Sequence, residues 1–254
     1  MQINPELTTS DRSFNYGDGL FSTVRVSRGQ LQLWPLHLNR LQQGVERLNM
    51  PAIDEQQLTA AAKQAITAPE QVLKLLLSRG AGGRGYGAGG IVESHLHLSV
   101  AAMPDYQPWQ QQGIRVGIAQ LKLGCQPRLA GLKHNNRLEQ VLLKAELAAT
   151  DWDDLLVLDA MDRVTEATAA NLFFYAGGVW HTPQLDQAGV AGVMRERLLS
   201  QLQPQQGYYS LSHLVQADAI FLCNALMQVV PVRQLADKVY DLGPVRAVQN
   251  GVLD

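Results

Sequence analysis

Between Leu20 and Asn49 the chain passes from strand period to helix period with almost nothing in between, and this restricts its possible folds more than any other feature. Leu20 to Ser27 reads as a strand, Arg28-Gly29 as a turn, and Leu31 to Trp34 as the returning strand of a hairpin. Pro35 suits the first turn of a helix, where its missing amide has no partner to lose. Leu38, Leu41, Val45 and Leu48 step by three and four, so 36–49 is expected to be an amphipathic helix packed on that sheet. A second helix is expected from Asp54, as its cap, to Ile66, and an apolar strand from Val72 to Ser78. Ser94 to Val100 alternates, with Leu96, Leu98 and Val100 on one face and His95, His97 and Ser99 on the other.

The later chain repeats the mixture. Met103 to Trp109 is polar and proline-rich and is expected to link two domains, a smaller one over 1–102 and a larger one over 114–254, with 103–113 between. Strands are expected at Arg115 to Leu121 and Leu155 to Leu158, with a helix opening at Lys133, where Leu138, Val141, Leu142 and Ala145 recur at helical spacing. Asn171 to Tyr175 and Val179 to His181 flank Gly177-Gly178, a strong hairpin signal. A further helix is expected to end near Gln203, and Ala219 to Asn224 to be a strand. With 254 residues, 46% of them hydrophobic, the chain can bury one large core or two modest ones, so the fold class expected is α/β (α+β) in two domains.

A formal charge of −2 gives no global attraction to nucleic acid or to an anionic membrane. The opening residues lack a cationic segment leading into an apolar run, and no stretch is long and apolar enough to span a bilayer. Cys125 and Cys223 are too few and too isolated for a disulfide framework, so a reducing cytoplasm is the expectation.

Two stretches carry the chemistry. Lys133 stands beside Ala-Gly-Leu, where a partly desolvated amine favours the neutral, nucleophilic form that a Schiff base needs. Glu166 stands on a Val-Thr-Glu edge after an Asp-Ala-Met-Asp turn, placed to face a cationic ring nitrogen. An amine for an aldehyde and a carboxylate for a pyridinium together suggest pyridoxal phosphate. Taken singly, each has an ordinary alternative: a solvated helix-start lysine and an exposed carboxylate.

Lys133-His134-Asn135-Asn136-Arg137-Leu138, and Val164-Thr165-Glu166 followed by Asn171-Leu172-Phe173, resemble the paired motifs of fold-type-IV pyridoxal phosphate enzymes. That family includes branched-chain aminotransferases, D-amino acid aminotransferases and aminodeoxychorismate lyases; the likeness spans nearly the whole chain and is nearest to the lyases. It implies a smaller N-terminal α/β domain, a larger C-terminal domain with a barrel-like sheet, the cofactor in the cleft between them, and a homodimer in which a neighbour's loop completes each pocket. His37-Leu38-Asn39-Arg40-Leu41 is similar to the family's phosphate-binding arginine motif, a fork able to grip two oxygens. The glycine-containing turn before Val193 and Met194 is a seat for phosphate on free helix amides. Where related aminotransferases carry a hydroxyl this chain has Ala225, so its backbone amide and the Asn224 side chain are expected to compensate.

Thr23 resembles the lyase pattern, in which a hydroxyl is available to relay a proton. Arg79, Arg84 and Tyr86 lie in a glycine-rich loop that resembles the lyases' substrate-binding stretch. Its Gly-Ala-Gly-Gly-Arg-Gly satisfies a dinucleotide fingerprint formally, but the glycines continue where that fingerprint needs a helix. The resemblance thus implies conversion of 4-amino-4-deoxychorismate to 4-aminobenzoate and pyruvate in folate synthesis. The alternatives are transamination of D-amino or branched-chain amino acids, and a non-catalytic dimeric binding module. His95 and His97, two apart on one strand face, have a spacing that metal sites use; no third ligand is in evident reach, so no metal is expected.

Overall fold

The computed structural model describes residues 1–82 and 85–252 and divides into two compact units. The first comprises Met1–Pro104 with Leu132–Arg137; the second comprises Asp105–Gly131 with the chain from Leu138 onward.

In the first unit the elements are β1 (Gln2–Ile3), α1 (Arg12–Tyr16), β2 (Gly19–Ser27), β3 (Gln30–Leu31), α2 (Trp34–Arg47), α3 (Glu55–Gln64), β4 (Gln71–Ser78) and β5 (His95–Ala102). Their sheet runs β1-β5-β4-β2-β3, and β2 pairs antiparallel with β4 from Gly19 opposite Ser78 to Val26 opposite Gln71. Alternation along β2 buries Leu20, Val24 and Val26 among Leu41 and Val45 of α2 and Leu58 and Ala62 of α3. Each such leucine or valine contributes about 1.5–3 kcal/mol by leaving water. Asp54 caps α3, its Oδ1 accepting from the amides of Gln56 and Gln57 at 2.9 and 3.0 Å. The hairpin's return strand is only Gln30–Leu31, shorter than the apolar run suggests. Leu33 takes a left-handed φ of 54°, which turns the chain straight into α2 with Pro35 in its first turn.

In the second unit α4 (Gln107–Gln112) precedes β6 (Ile114–Ile118), α5 (Leu138–Ala148), β7 (Asp154–Leu158), β8 (Val164–Ala167), β9 (Asn171–Ala176) and β10 (Val179–Pro183). There follow α6 (Val193–Leu202), β11 (Gln205–Gly207), α7 (Leu211–Val215), β12 (Ala219–Asn224), β13 (Gln228–Leu235), β14 (Lys238–Val239) and α8 (Gly243–Val252). The sheet path is β11-β10-β9-β12-β13-β6-β7-β8, with β14 on β13. Its last strand, β8, lies against β9 and β10, so the sheet curls towards a barrel. Phe174, Leu156, Ile220, Leu222, Val230 and Val232 fill one core, and Phe173 stacks on Phe221 at 4.9 Å. Gly177 and Gly178, at φ 58° and 82°, make the tight turn that joins β9 to β10.

Two expectations need correction. The proline-rich connector contains α4, whose Trp109, with Tyr106, packs on the second unit's core; Gln110 Nε2 donates to Met227 O at 2.9 Å. The helix expected at Lys133 begins only at Leu138. β3 covers β2 only at Val26 and Ser27, which leaves the amides near Gly19 needing partners. The segment carrying Lys133 supplies them: Phe21 N donates to Lys133 O at 2.9 Å, and Asn135 N donates to Gly19 O at 3.0 Å.

Candidate active site

The stretch from Lys133 to Arg137 is held by its own side chains. Arg137 donates from Nε to His134 O at 2.7 Å and from Nη2 to Leu132 O at 2.8 Å, bracing the peptide on both sides of Lys133. Asn135 Nδ2 reaches Ser13 Oγ at 2.7 Å, and Asn136 Nδ2 reaches Gly17 O at 3.0 Å. Lys133 Nζ lies 4.3 Å from the centre of the Phe21 ring. Thr23 follows two residues later on the same sheet face, opposite Lys74 of β4, whose Nζ is 5.5 Å from that ring.

On the other face of β2, Ser22 joins α2. Arg40 Nη2 donates to Ser22 Oγ at 2.8 Å, and Ser22 Oγ lies 2.7 Å from His37 Nδ1. A guanidinium can only donate, so the serine hydrogen goes to His37, whose Nδ1 must be bare. Burial first, then the charges of Arg40 and Lys133, push His37 well below the ordinary histidine value, which agrees with a neutral ring. Burial and the charge of Arg137 lower Arg40 to about 10, so the guanidinium is still cationic at neutral pH. Its Nε is buried and has no hydrogen-bond partner among the described residues. A buried guanidinium with a spare donor, close to a second positive charge, is chemistry suited to an anion.

Arg79 departs from its expected role. Its Nε donates to Asp18 at 2.8 Å and its two terminal nitrogens to Asn49 O and Leu48 O at 2.6 and 2.7 Å, so the fork closes the end of α2 rather than facing a substrate. Arg12 shares Asp18 and donates to the carbonyls of Gly85, Tyr86 and Gly87, holding the described part of the glycine-rich loop. Burial pushes the Asp18 carboxyl up, but hydrogen bonds and charge from Arg79 and Arg12 hold it below its usual value. Tyr86 is 87% exposed, with its ring 5.3 Å from that of Tyr16. Arg84 lies outside the described residues.

In the second unit Glu166 is buried on β8, and its Oε2 accepts from Val190 N at 2.9 Å. Gly189 makes this possible: its φ is 82°, and a Cβ there would sit 2.7 Å from Thr165 Cγ2. Asn171 shapes the rest of the turn, donating to Val190 O at 2.8 Å and accepting from Gly192 N at 3.1 Å. Gly192 is the N-cap of α6 with no side-chain cap, so the amides of Val193 and Met194 are first-turn donors that the helix cannot use itself. Asn224 is not the spare phosphate donor expected. Its Oδ1 accepts from Leu226 N and Met227 N, each at 2.9 Å, and its Nδ2 donates to Ala169 O at 3.1 Å. It builds the turn that carries Ala225 from β12 to β13.

The sequence alone assigns no role of their own to Phe21, Ser22, His37, Arg12 and Asn171, although His37 and Asn171 stand inside its motifs. His37 had a signal, since it lies three residues before Arg40 and so on the same helix face. Arg12 had none. The sequence also offered no third ligand beside His95 and His97, but the structure does: Asp11 Oδ2 is 3.1 Å from His95 Nδ1.

The profile of the amino-transferase class IV family matches residues 19–235. Aminodeoxychorismate lyase of Vibrio harveyi is 41% identical over 230 residues, covering 87% of this chain and 84% of its own. D-alanine aminotransferase of Bacillus licheniformis is 24% identical over 238 residues, covering 89% and 81%. The crystal structure of 4-amino-4-deoxychorismate lyase from Pseudomonas aeruginosa matches with a TM-score of 0.92 at 38% identity, covering 98% of this chain and 94% of that one.

Proposed function

The chain belongs to the amino-transferase class IV family, and from that premise we propose that it converts 4-amino-4-deoxychorismate to 4-aminobenzoate and pyruvate, a step of folate synthesis. What carries this reading is the 41% identity to a lyase over most of the chain, against 24% to the D-alanine aminotransferase. The family's cofactor is pyridoxal phosphate, which when bound supplies an aldehyde for an amine and a ring able to accept electron density.

The donor set fits that group. In the first unit Lys133 provides the amine, and Arg40, with its spare Nε, an anion seat; in the second, Glu166 provides a buried carboxylate, and Val193, Met194 and Ala225 backbone amides. Lys133 Nζ would hold the cofactor's aldehyde, and as a free amine it would take the proton from the ring carbon that bears the substrate's amine. Glu166 would keep the pyridine nitrogen protonated. Thr23 would relay the proton that Lys133 has taken to the departing enolpyruvyl group as its carbon–oxygen bond breaks, while Arg84 and Tyr86 would receive carboxylates. Aromatisation drives the step, and atoms balance without a keto-acid co-substrate. The working form in this reading is a cytoplasmic homodimer. Two free cysteines, one of them exposed, suit a reducing compartment. Among the described residues no helix is long and apolar enough to cross a membrane.

The test is to generate aminodeoxychorismate in situ and follow 4-aminobenzoate with wild type and Lys133→Ala. Wild type is expected to form product and the variant to lose at least about a hundredfold, the scale of a positioned proton-transfer group. Equal rates would remove Lys133 from the reaction. Hydride trapping of the holoenzyme should label Lys133 and not Lys74, its neighbour across the Phe21 ring. Sedimentation is expected to give twice the chain mass; a monomer that retains full activity would exclude the dimer.

A further inference from the structure

Besides the lysine and the anion seats, the first unit gathers three metal-binding side chains. Strand alternation puts His95 and His97 on one face of β5, and Asp11, the buried N-cap of α1, meets them there. One ligand atom from each lies within 4.8 Å of the other two. The carboxylate is already anchored. Asp11 Oδ1 accepts from Ser13 N at 2.8 Å and from Ser78 Oγ at 2.6 Å, and Ser78 is the register partner of His95 on β4. That leaves Oδ2 directed at His95 Nδ1, 3.1 Å away.

A histidine–carboxylate hydrogen bond would explain that distance, but it needs only His95. His97 Nε2 is shut off from solvent and has no hydrogen-bond partner among the described residues, which is costly for a buried ring nitrogen. Donors bound to one tetrahedral ion at 2.0–2.1 Å stand roughly 3.3 Å apart, close to the Asp11–His95 separation. We propose that Asp11, His95 and His97 form a binding site for a divalent cation of the zinc class. Two imidazoles and one carboxylate favour such an ion over magnesium or calcium, which prefer oxygen donors. A fourth position is left for water.

The location gives the site a use. Asp11 bridges to Ala81, and Arg12 N donates to Gly80 O at 3.0 Å, where the chain leaves β4; His95 opens β5, where it returns. An ion here fastens both roots of the glycine-rich loop to the segment before α1, a structural clamp separate from the cofactor chemistry.

The test uses the full-length, cofactor-loaded protein, dialysed free of excess pyridoxal phosphate, with Zn2+ as the probe and Mg2+ as the comparison. Equilibrium dialysis with metal analysis should give one Zn2+ per chain, bound at least about tenfold more weakly in His95→Gln and in His97→Gln and unchanged in Cys125→Ser. Zn2+ should raise the melting temperature of wild type and of Cys125→Ser but not of the two histidine variants, whose circular dichroism should match wild type. Binding well below one ion per chain, Zn2+ binding by folded His97→Gln equal to wild type, or equal preference for Mg2+ would each overturn the proposal. If His97→Gln fails to fold, the His95→Gln titration decides by the same criteria.

Discussion

The hydroxyl of Ser22 settles two other side chains at once. By accepting from Arg40 and donating to His37 it fixes the guanidinium on one side and the imidazole tautomer on the other. Ser22→Ala should leave the backbone of β2 intact but free Arg40 to wander. A hydrogen bond to a charged group is worth about 1.5–3 kcal/mol, so affinity for pyridoxal phosphate is expected to fall roughly tenfold or more in an absorbance titration. Unchanged affinity would show that Ser22 does not hold Arg40 for the phosphate.

The neutral histidines also set a pH dependence. His37 is held well below its ordinary value, and His134 is lowered to about 4 by burial and by the charge of Arg137. Between the unfolded histidine value near ~6.5 and the folded values, the unfolded chain binds protons that the folded one refuses. Stability is therefore full above that window and declines as pH drops through it, by up to about 1.4 kcal/mol per pH unit for each histidine. Urea midpoints measured across this range should show the slope, and His134→Gln should remove one histidine's share. A flat profile would mean that these rings are not kept neutral.

Among the elements, those governed by local rules were legible in the sequence. Asp54 announced α3 because an aspartate just before a helical pattern can cap its first-turn amides with contacts that are all local, and Gly177-Gly178 announced a hairpin because both glycines take positive φ. Elements decided by distant partners were not. Lys133 read as a helix start because apolar spacing follows it, yet pairing with Gly19 and Phe21 keeps the segment out of the helix, which begins at Leu138. The same limit hid Asp11 beside His95 and sent Arg79 to the end of α2 instead of a substrate. The glycine-rich loop depends on another unannounced partner, Arg12. Its guanidinium collects three loop carbonyls, so Arg12→Ala should speed hydrogen exchange of the amides from Gly85 to Gly90 and hasten chymotryptic cleavage at exposed Tyr86. Exchange rates equal to wild type would show that the loop is ordered without it.

At the scale of the whole molecule, the first unit is discontinuous in sequence: its own 1–104 stretch lacks Leu132–Arg137. A fragment ending at Pro104 leaves the amide of Phe21 and the carbonyl of Gly19 on an open strand edge, the kind of edge that pairs with other chains. Such a fragment is expected to scatter light and sediment as aggregates at concentrations where the full chain does not. A soluble, monomeric, folded fragment would show that the returning segment is dispensable.

That returning segment also dictates a timetable. All strands of the first sheet, from Gln2 to Ala102, are synthesised before the segment 132–137 that completes its border, so the nascent sheet must wait with one border unfinished. On the reading proposed for Lys133, a translation product interrupted before residue 132 carries neither a finished sheet border nor the amine that would hold the cofactor.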